Sequence, residues 1–328
     1  MSARSYRLKS RALSPIWSSP KARLMPSDKR RITGGKLRSL WKQYARFRKP
    51  QLAPSTYKRD YTKISRRLER MKREAPKLDS AISIRDWLLA NYSHETARRT
   101  IVQFNACCKW AMYSDLIENN PFAGITSQLP KRRRSPLEFA AFTAQERDRI
   151  IQEFDAECPW AAPWVKFLFW TGCRPEEAAA LRWRHVAGDH TEMFISEAFP
   201  VDMKEPQATK NYKSTRFPCN ARLQRLLRSQ RPQHWSRDGL VFLSPRLGKR
   251  FDYHNFQSRH WKPLVMDLCD RGAIAFYLSQ YHARHTFITE GLKADISVPD
   301  MAYLCRVSTA VLYKHYVGRT RSIVVPEF

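Results

Sequence analysis

The sequence contains no run of about 18 uncharged apolar residues, the length a membrane-crossing helix needs, so no such helix is expected and no membrane partner. Acidic residues are scarce. Asp and Glu number 30 against 59 Lys and Arg, which leaves a formal charge of +29 with histidine neutral. An excess of that size calls for a polyanionic partner, and nucleic acid leads; a generally basic surface is the plainer alternative. The seven cysteines are odd in number, contain no C-x-x-C and fit no zinc module, so they read as reduced, mostly buried thiols of a cytosolic protein. No H-E-x-x-H occurs among the nine histidines, and nothing in their spacing suggests a metal. No internal repeat is present. The basic N-terminus, MSARSYRLKSRALS, has no apolar segment of the secretory kind, although its Arg and Ser content leaves a mitochondrial presequence open.

What is present is enough apolar content, 43%, to build real cores, in 328 residues that suggest two domains, or three at roughly 100–200 residues each. Residues 1–36 carry ten cations and a single acid, Asp28, with Pro, Ser and Gly34-Gly35 breaking any period. They read as a flexible basic arm able to neutralise phosphates, or as a plain solvated tail. From 37 to 128 the apolar spacing is helical: Leu37, Leu40, Trp41, Tyr44 and Phe47, then Tyr57, Tyr61, Ile64, Leu68 and Met71, then Ile82 to Tyr92, then Ile101, Phe104, Cys108 and Ala111. This predicts an all-α domain of four or five helices. Its polar faces carry Lys58, Arg59, Arg98, Arg99 and Lys109, which as a set suggest a surface that tracks a DNA backbone. Residues 129–140 form a basic linker in which Lys131, Arg132, Arg133 and Arg134 stand between two prolines; a DNA-contacting hinge is favoured over a nuclear-localisation signal. Residues 141–328 open with a capping box at Thr143 and Glu146. Helices at about 144–155 and 161–170 are followed by β-like runs at 192–198, 214–218 and 240–243. Further helices are expected at about 220–230, 254–270, 280–293, 298–305 and 309–316.

Three segments in this second part carry chemistry. In Phe169–Trp183, FWTGCRPEEAAALRW, Arg174 follows a glycine at a helix start and Glu177 lies three residues on. A guanidinium so placed can grip a phosphate with two parallel hydrogen bonds, or simply pair with Glu177. In Tyr281–Thr289, YHARHTFIT, Tyr281 and Arg284 are three apart, and a second arginine aimed at the same phosphate would neutralise charge developing in a transition state. In Val307–Gly318, VSTAVLYKHYVG, Tyr313 and Tyr316 are both candidate nucleophiles. A free tyrosine has a pKa near 10, so only about a thousandth is ionised at pH 7 unless cations stand beside it.

These segments, in this order, resemble the tyrosine recombinase (phage-integrase) family, whose pattern is T-G-x-R-x-x-E-x-x-x-L-x-W, a β-hairpin lysine, H-x-x-R-H and a C-terminal tyrosine. The resemblance covers about residues 37 to 318. It implies a helical, SAM-like core-binding domain followed by a mixed, mainly helical domain with a small antiparallel sheet, the DNA breaking-rejoining enzyme fold. By the same resemblance Arg174 and Arg284 hold the scissile phosphate and Tyr316 forms a 3′-phosphotyrosine. Lys210, with Lys213 as its rival, protonates the leaving oxygen, Glu177 orients the site, and His285 supports proton transfer or packing. Neither ATP nor a metal or other cofactor is required, because the bond energy is stored in the phosphotyrosine. The implied partners are double-stranded recombination sites and further copies of the chain, as a dimer on one site and a tetramer in synapsis, with room for an accessory DNA-bending or directionality factor. The implied location is cytoplasmic, with the nucleoid.

The pattern is not complete. Tyr281 stands where the family has His, His282 is one residue out of register, Val307 replaces the His or Trp nine residues before the nucleophile, and Arg306 replaces the glycine before that. Two rivals therefore stay open: a type IB topoisomerase-like relaxing activity, and a DNA-binding protein that kept the fold and lost turnover.

Overall fold

The computed structural model describes residues 30–129, 135–209, 214–245 and 248–319. The N-terminal arm up to residue 29, the cations Lys131 to Arg134, the two lysine candidates Lys210 and Lys213, and the segment from 320 lie outside the described residues. The chain divides into two compact units, residues 1–132 and 133–328.

In the first unit Thr33 caps α1 (Gly34–Arg48), its hydroxyl accepting the Lys36 N–H at 3.2 Å. Leu37, Leu40, Trp41 and Tyr44 recur along the buried side of α1. Phe47, expected to continue that stripe, is exposed and stacks on Trp110 at 5.6 Å, because by that turn α1 has reached the rim of the core. α2 (Pro54–Thr56) leads through a π turn, Tyr57–Tyr61, into α3 (Thr62–Glu74). α4 (Ala81–Asn91) opens on a reciprocal Ser80–Ser83 cap and α5 (His94–Tyr113) on Ser93. α1 packs on α3 and α5. Trp41 is the centre: its ring stacks on Tyr61 at 5.0 Å, and its N–H donates to Ser65 Oγ at 3.0 Å, so the one polar atom it buries is paired.

The second unit begins with α6 (Ala144–Glu157), closed by the Thr143–Glu146 box, and α7 (Ala162–Thr171). After α8 (Pro175–Ala178) come the strands β1 (Glu192–Ile195), β2 (Glu197–Ala198), β3 (Gln207–Ala208) and β4 (Thr215–Pro218). β1 pairs antiparallel with β4, Met193 opposite Phe217, and β2 pairs with β3. Thr215 and Phe217 point inward while Arg216 and Pro218 face out, the alternation a one-sided sheet requires. The run at 240–243, expected as a strand, makes only isolated bridges, Leu240 to Arg182 and Leu243 to Arg250, because the chain turns back at Ser244, whose carbonyl accepts the Gly248 N–H. The remaining helices are α9 (Ala221–Gln230), α10 (Tyr253–Phe256), α11 (Lys262–Asp270), α12 (His282–Lys293), α13 (Val298–Cys305) and α14 (Thr309–His315). An aromatic core holds them: Trp164 stacks on Phe251 at 4.2 Å and Phe154 on Trp261 at 5.7 Å. Rings buried to this degree are each worth about 3–5 kcal/mol against alanine. A separate apolar cluster, Ile288, Leu292, Met301, Cys305 and Leu312, joins α12, α13 and α14 and supports the residues described next. Phe139 and Ala140, read from sequence as linker, pack on this second unit instead.

Candidate active site

Four helix ends and the first turns of a fifth helix meet in the second unit. α7 stops at Gly172, which takes a left-handed conformation (φ +59°) and so lets the chain turn sharply. Arg174 then sits as the extended residue before α8, with Pro175 setting the first helical turn. From the third position of that helix the Glu177 carboxylate reaches back. It accepts the Arg174 backbone N–H at 2.9 Å and the Arg174 guanidinium at 2.6 Å. The spacing of Arg and Glu is thus a helix-cap geometry applied to a charged pair.

Arg284 and His285, in the first turns of α12, are both buried. The Arg284 guanidinium donates to the carbonyl of Gly172 at 2.8 Å and to that of Cys305. Cys305 ends α13, and the next residue, Arg306, is left-handed (φ +52°). Arg306 donates to Glu177 Oε2 at 2.7 Å and its own carbonyl accepts from Arg174 at 3.3 Å. Glu177 therefore lies between two guanidinium groups, a third nearby. Burial alone would push its carboxyl up; Arg306, then Arg174 and Arg284, hold it down at about 2. It is ionised at any working pH.

Tyr316 caps the C-terminal end of α14. The backbone leaves helical geometry there (φ −127°), and the ring turns into the unit, only 5% exposed. Its hydroxyl lies 2.5 Å from His285 Nδ1. Burial first, then the neighbouring His282, Arg284 and His315, lower the His285 pKa to about 3, so the imidazole is neutral, and in the tautomer whose Nδ1 carries no proton it accepts from the phenol. Burial also raises the Tyr316 phenol, with Tyr281 and Cys305 adding to the rise while Arg284 and Arg174 pull it back. Phe139 covers this pair: its ring stacks on His315 at 3.9 Å and stands edge-on to His285 and Tyr316.

The other residues singled out in the sequence fall as follows. Tyr281 precedes α12, is 39% exposed, and its ring stands 5.4 Å from that of His285. His282 is turned aside, its Nε2–H donating to the Leu137 carbonyl at 3.2 Å. Tyr313, the rival nucleophile, is 62% exposed: α14 ends before Tyr316, so the two tyrosines do not share a face. In the first unit Lys58 and Arg59 are exposed on the π turn before α3. Arg98 and Lys109, three full turns apart on α5, line one face of it, and Arg99 beside them pairs with Glu95 at 2.6 Å. Two residues of the cluster were not ranked among the site residues: Phe139 looked like linker, and Arg306 stood out only as a departure from the pattern, a cation in place of a glycine. The described residues hold no group of three or more potential metal ligands and no helix long and apolar enough to cross a membrane.

The fold is that of the tyrosine recombinases. Among solved structures, the Tn1549 transposon integrase in complex with a circular-intermediate DNA matches with a TM-score of 0.71 at 15% identity, over 86% of this chain and 95% of that one. A lambda integrase dimer bound to a COC′ core site matches with a TM-score of 0.64 at 13% identity, over 92% of this chain and 81% of that one. A second lambda integrase structure bound to DNA gives 0.61 at 13% identity, over 90% and 100%. No protein-family model matches the chain, and no curated protein does.

Proposed function

We propose that the chain is a site-specific DNA recombinase or integrase of a phage or other mobile element. It cuts and rejoins DNA through a 3′-phosphotyrosine. The observation that carries the reading is the meeting of Arg174, Arg284, His285 and Tyr316, far apart in sequence, around one buried hydroxyl in a fold whose solved neighbours were captured on DNA.

Arg174 and Arg284 take the two non-bridging oxygens of the scissile phosphate. The Tyr316 oxygen attacks phosphorus; its bond to phosphorus forms as the bond to the 5′ oxygen breaks. The phenolic proton passes to His285 Nδ1, 2.5 Å from the hydroxyl, in the tautomer that leaves that nitrogen free to accept. The bound phosphate brings a negative charge that favours the imidazolium and opposes the depression caused by burial. The leaving 5′ oxygen takes a proton from a lysine, Lys210 or Lys213 in the sequence reading. One phosphoester replaces another, so a 5′ hydroxyl from a second strand can reverse the step. The first unit, through Lys58, Arg59, Arg98, Arg99 and Lys109, and the cations Lys131 to Arg134 grip the duplex backbone. Two copies bind one site and four assemble for exchange.

The test is covalent trapping. Duplexes from the DNA flanking the chain's own gene, nicked so that the cut strand cannot religate, are incubated with the protein, denatured and examined for attached DNA. An adduct that survives Tyr313→Phe and disappears in Tyr316→Phe is expected. Tight binding with no adduct would favour the DNA-binding protein without turnover, for which Tyr281 and Val307 are the motive; relaxation of any supercoiled plasmid would favour the topoisomerase reading.

A further inference from the structure

We propose that Arg306 is a positioning residue for this reaction, fixing both phosphate-gripping arginines through one left-handed turn and through the carboxylate of Glu177. The inference rests on the recombinase reading of the site.

Arg306 is in two unfavourable situations at once. A left-handed backbone suits glycine and strains a residue with a Cβ. A guanidinium whose side chain is 1% exposed has lost its hydration. Packing does not explain either, since a glycine would make the same turn with no strain. Its contacts do. The turn presents two consecutive carbonyls to two different arginines: Cys305 O accepts from Arg284, and Arg306 O accepts from Arg174. The Arg306 side chain folds back beneath them, one nitrogen on Glu177 Oε2 at 2.7 Å and near Cys173 Sγ at 3.6 Å, the other on the Leu304 carbonyl at 2.7 Å. Glu177 in turn holds the Arg174 guanidinium and backbone. A single residue thus touches both arginine anchors, one directly and one through its neighbour in the turn.

The same contacts set the charge around Glu177, whose carboxylate faces Arg306, Arg174 and Arg284. Removing Arg306 leaves a buried carboxylate with a counter-ion fewer. The charged and titratable groups facing Glu177 are then Arg174, Cys173 and Glu176 from the α7–α8 turn, Arg284 from α12 and Cys305 from α13. The Glu177 carboxyl then titrates at a higher pH than in the intact chain.

The discriminating variant is Arg306→Gly, which keeps the left-handed turn and removes only the cation. Adduct formation by the full chain on the nicked duplexes is followed from pH 5 to 8 for wild type, Arg306→Gly, Arg306→Lys and the double variant Arg306→Gly/Glu177→Gln, with thermal melts confirming that each folds. Arg306→Gly is expected to slow adduct formation at pH 7 by about 10²-fold, the scale of losing one preorganised charge in a site of this kind. Its residual rate climbs with pH as Glu177 ionises. Arg306→Lys recovers most of the rate, and the double variant loses the pH step. The carboxyl ¹³C resonance of Glu177, identified by its loss in Glu177→Gln, reports the same coupling without turnover: it moves to higher pH in Arg306→Gly. An Arg306→Gly protein with wild-type rate and pH profile, or an unmoved Glu177 resonance, overturns the proposal. A wild-type chain that forms no adduct while Glu177 still shifts overturns the recombinase reading, and leaves Arg306 as the residue that holds Glu177.

Discussion

The hydroxyl of Tyr316 lies 2.5 Å from Nδ1 of His285, within hydrogen-bond reach. Burial keeps the Tyr316 phenol protonated beside a neutral imidazole. If His285 is the proton acceptor, His285→Ala lowers the rate of adduct formation by about 10²–10⁴-fold while duplex affinity, read by fluorescence anisotropy, changes little. A rate loss matched by an equal affinity loss would reduce the imidazole to packing.

The same burial makes the fold acid-labile in a defined window. The His285 pKa falls from an ordinary 6.5 to about 3 in the folded chain, so the unfolded chain binds an extra proton between those values. Stability is fully present above pH 6.5 and declines as pH falls toward 3, by up to about 1.4 kcal/mol per pH unit for this one group. His185, His190, His260 and His282 are also depressed by burial and steepen the wild-type slope, so the comparison is with His285→Asn. Urea unfolding at several pH values between 4 and 7 is expected to show the variant shallower by close to one proton; parallel slopes would mean that His285 is solvated.

These two expectations rest on a pair the sequence could name but not join. The pairing of Arg174 with Glu177 was legible from their spacing, whereas the roles of Arg174, Glu177, Arg284 and His285 were legible only through the resemblance of TGCRPEE and HARHT to the recombinase motifs. Tyr316 was preferred to Tyr313 only through the K-H-Y resemblance; α14 stops one residue earlier than the periodicity suggested, and Tyr316 is buried where Tyr313 is exposed. Phe139 was not legible at all. A Pro-Leu-Glu-Phe stretch reads as linker, and only tertiary packing shows the ring lying on His315. Arg306 was visible as a departure from the pattern, but its meaning needs the left-handed turn, which no side-chain pattern encodes for a non-glycine residue.

The position of Phe139 leads to a further expectation. Its ring closes over Tyr316 and His285, whereas Tyr313 stands open to solvent. Nitration by tetranitromethane, which needs accessible phenolate, is expected to label Tyr313 and spare Tyr316 in peptide maps of the free protein. Phe139→Ala removes the cover and brings Tyr316 into the labelled set, at a cost of about 3–5 kcal/mol at most for a partly buried ring. Labelling of Tyr316 in the intact chain would show that the cover is open in solution.

Gly172 is the other end of the clamp on Arg284. Its carbonyl accepts from that guanidinium at 2.8 Å, and it does so from a left-handed conformation. An added Cβ would stand 2.5 Å from Cδ1 of Phe287, closer than carbon atoms approach, so the ring or the turn must move. Gly172→Ala therefore combines backbone strain of about 1–3 kcal/mol with a displaced carbonyl. Thermal unfolding is expected to drop, and adduct formation to fall further than duplex affinity, because Arg284 loses its alignment rather than its charge. The double variant Gly172→Ala/Phe287→Ala separates the two causes. It relieves the clash while leaving the left-handed alanine, so a rate that returns with Phe287 removed assigns the effect to the ring. A rate that stays low assigns it to the strained turn, and a wild-type rate in Gly172→Ala itself would mean that Arg284 does not depend on this carbonyl.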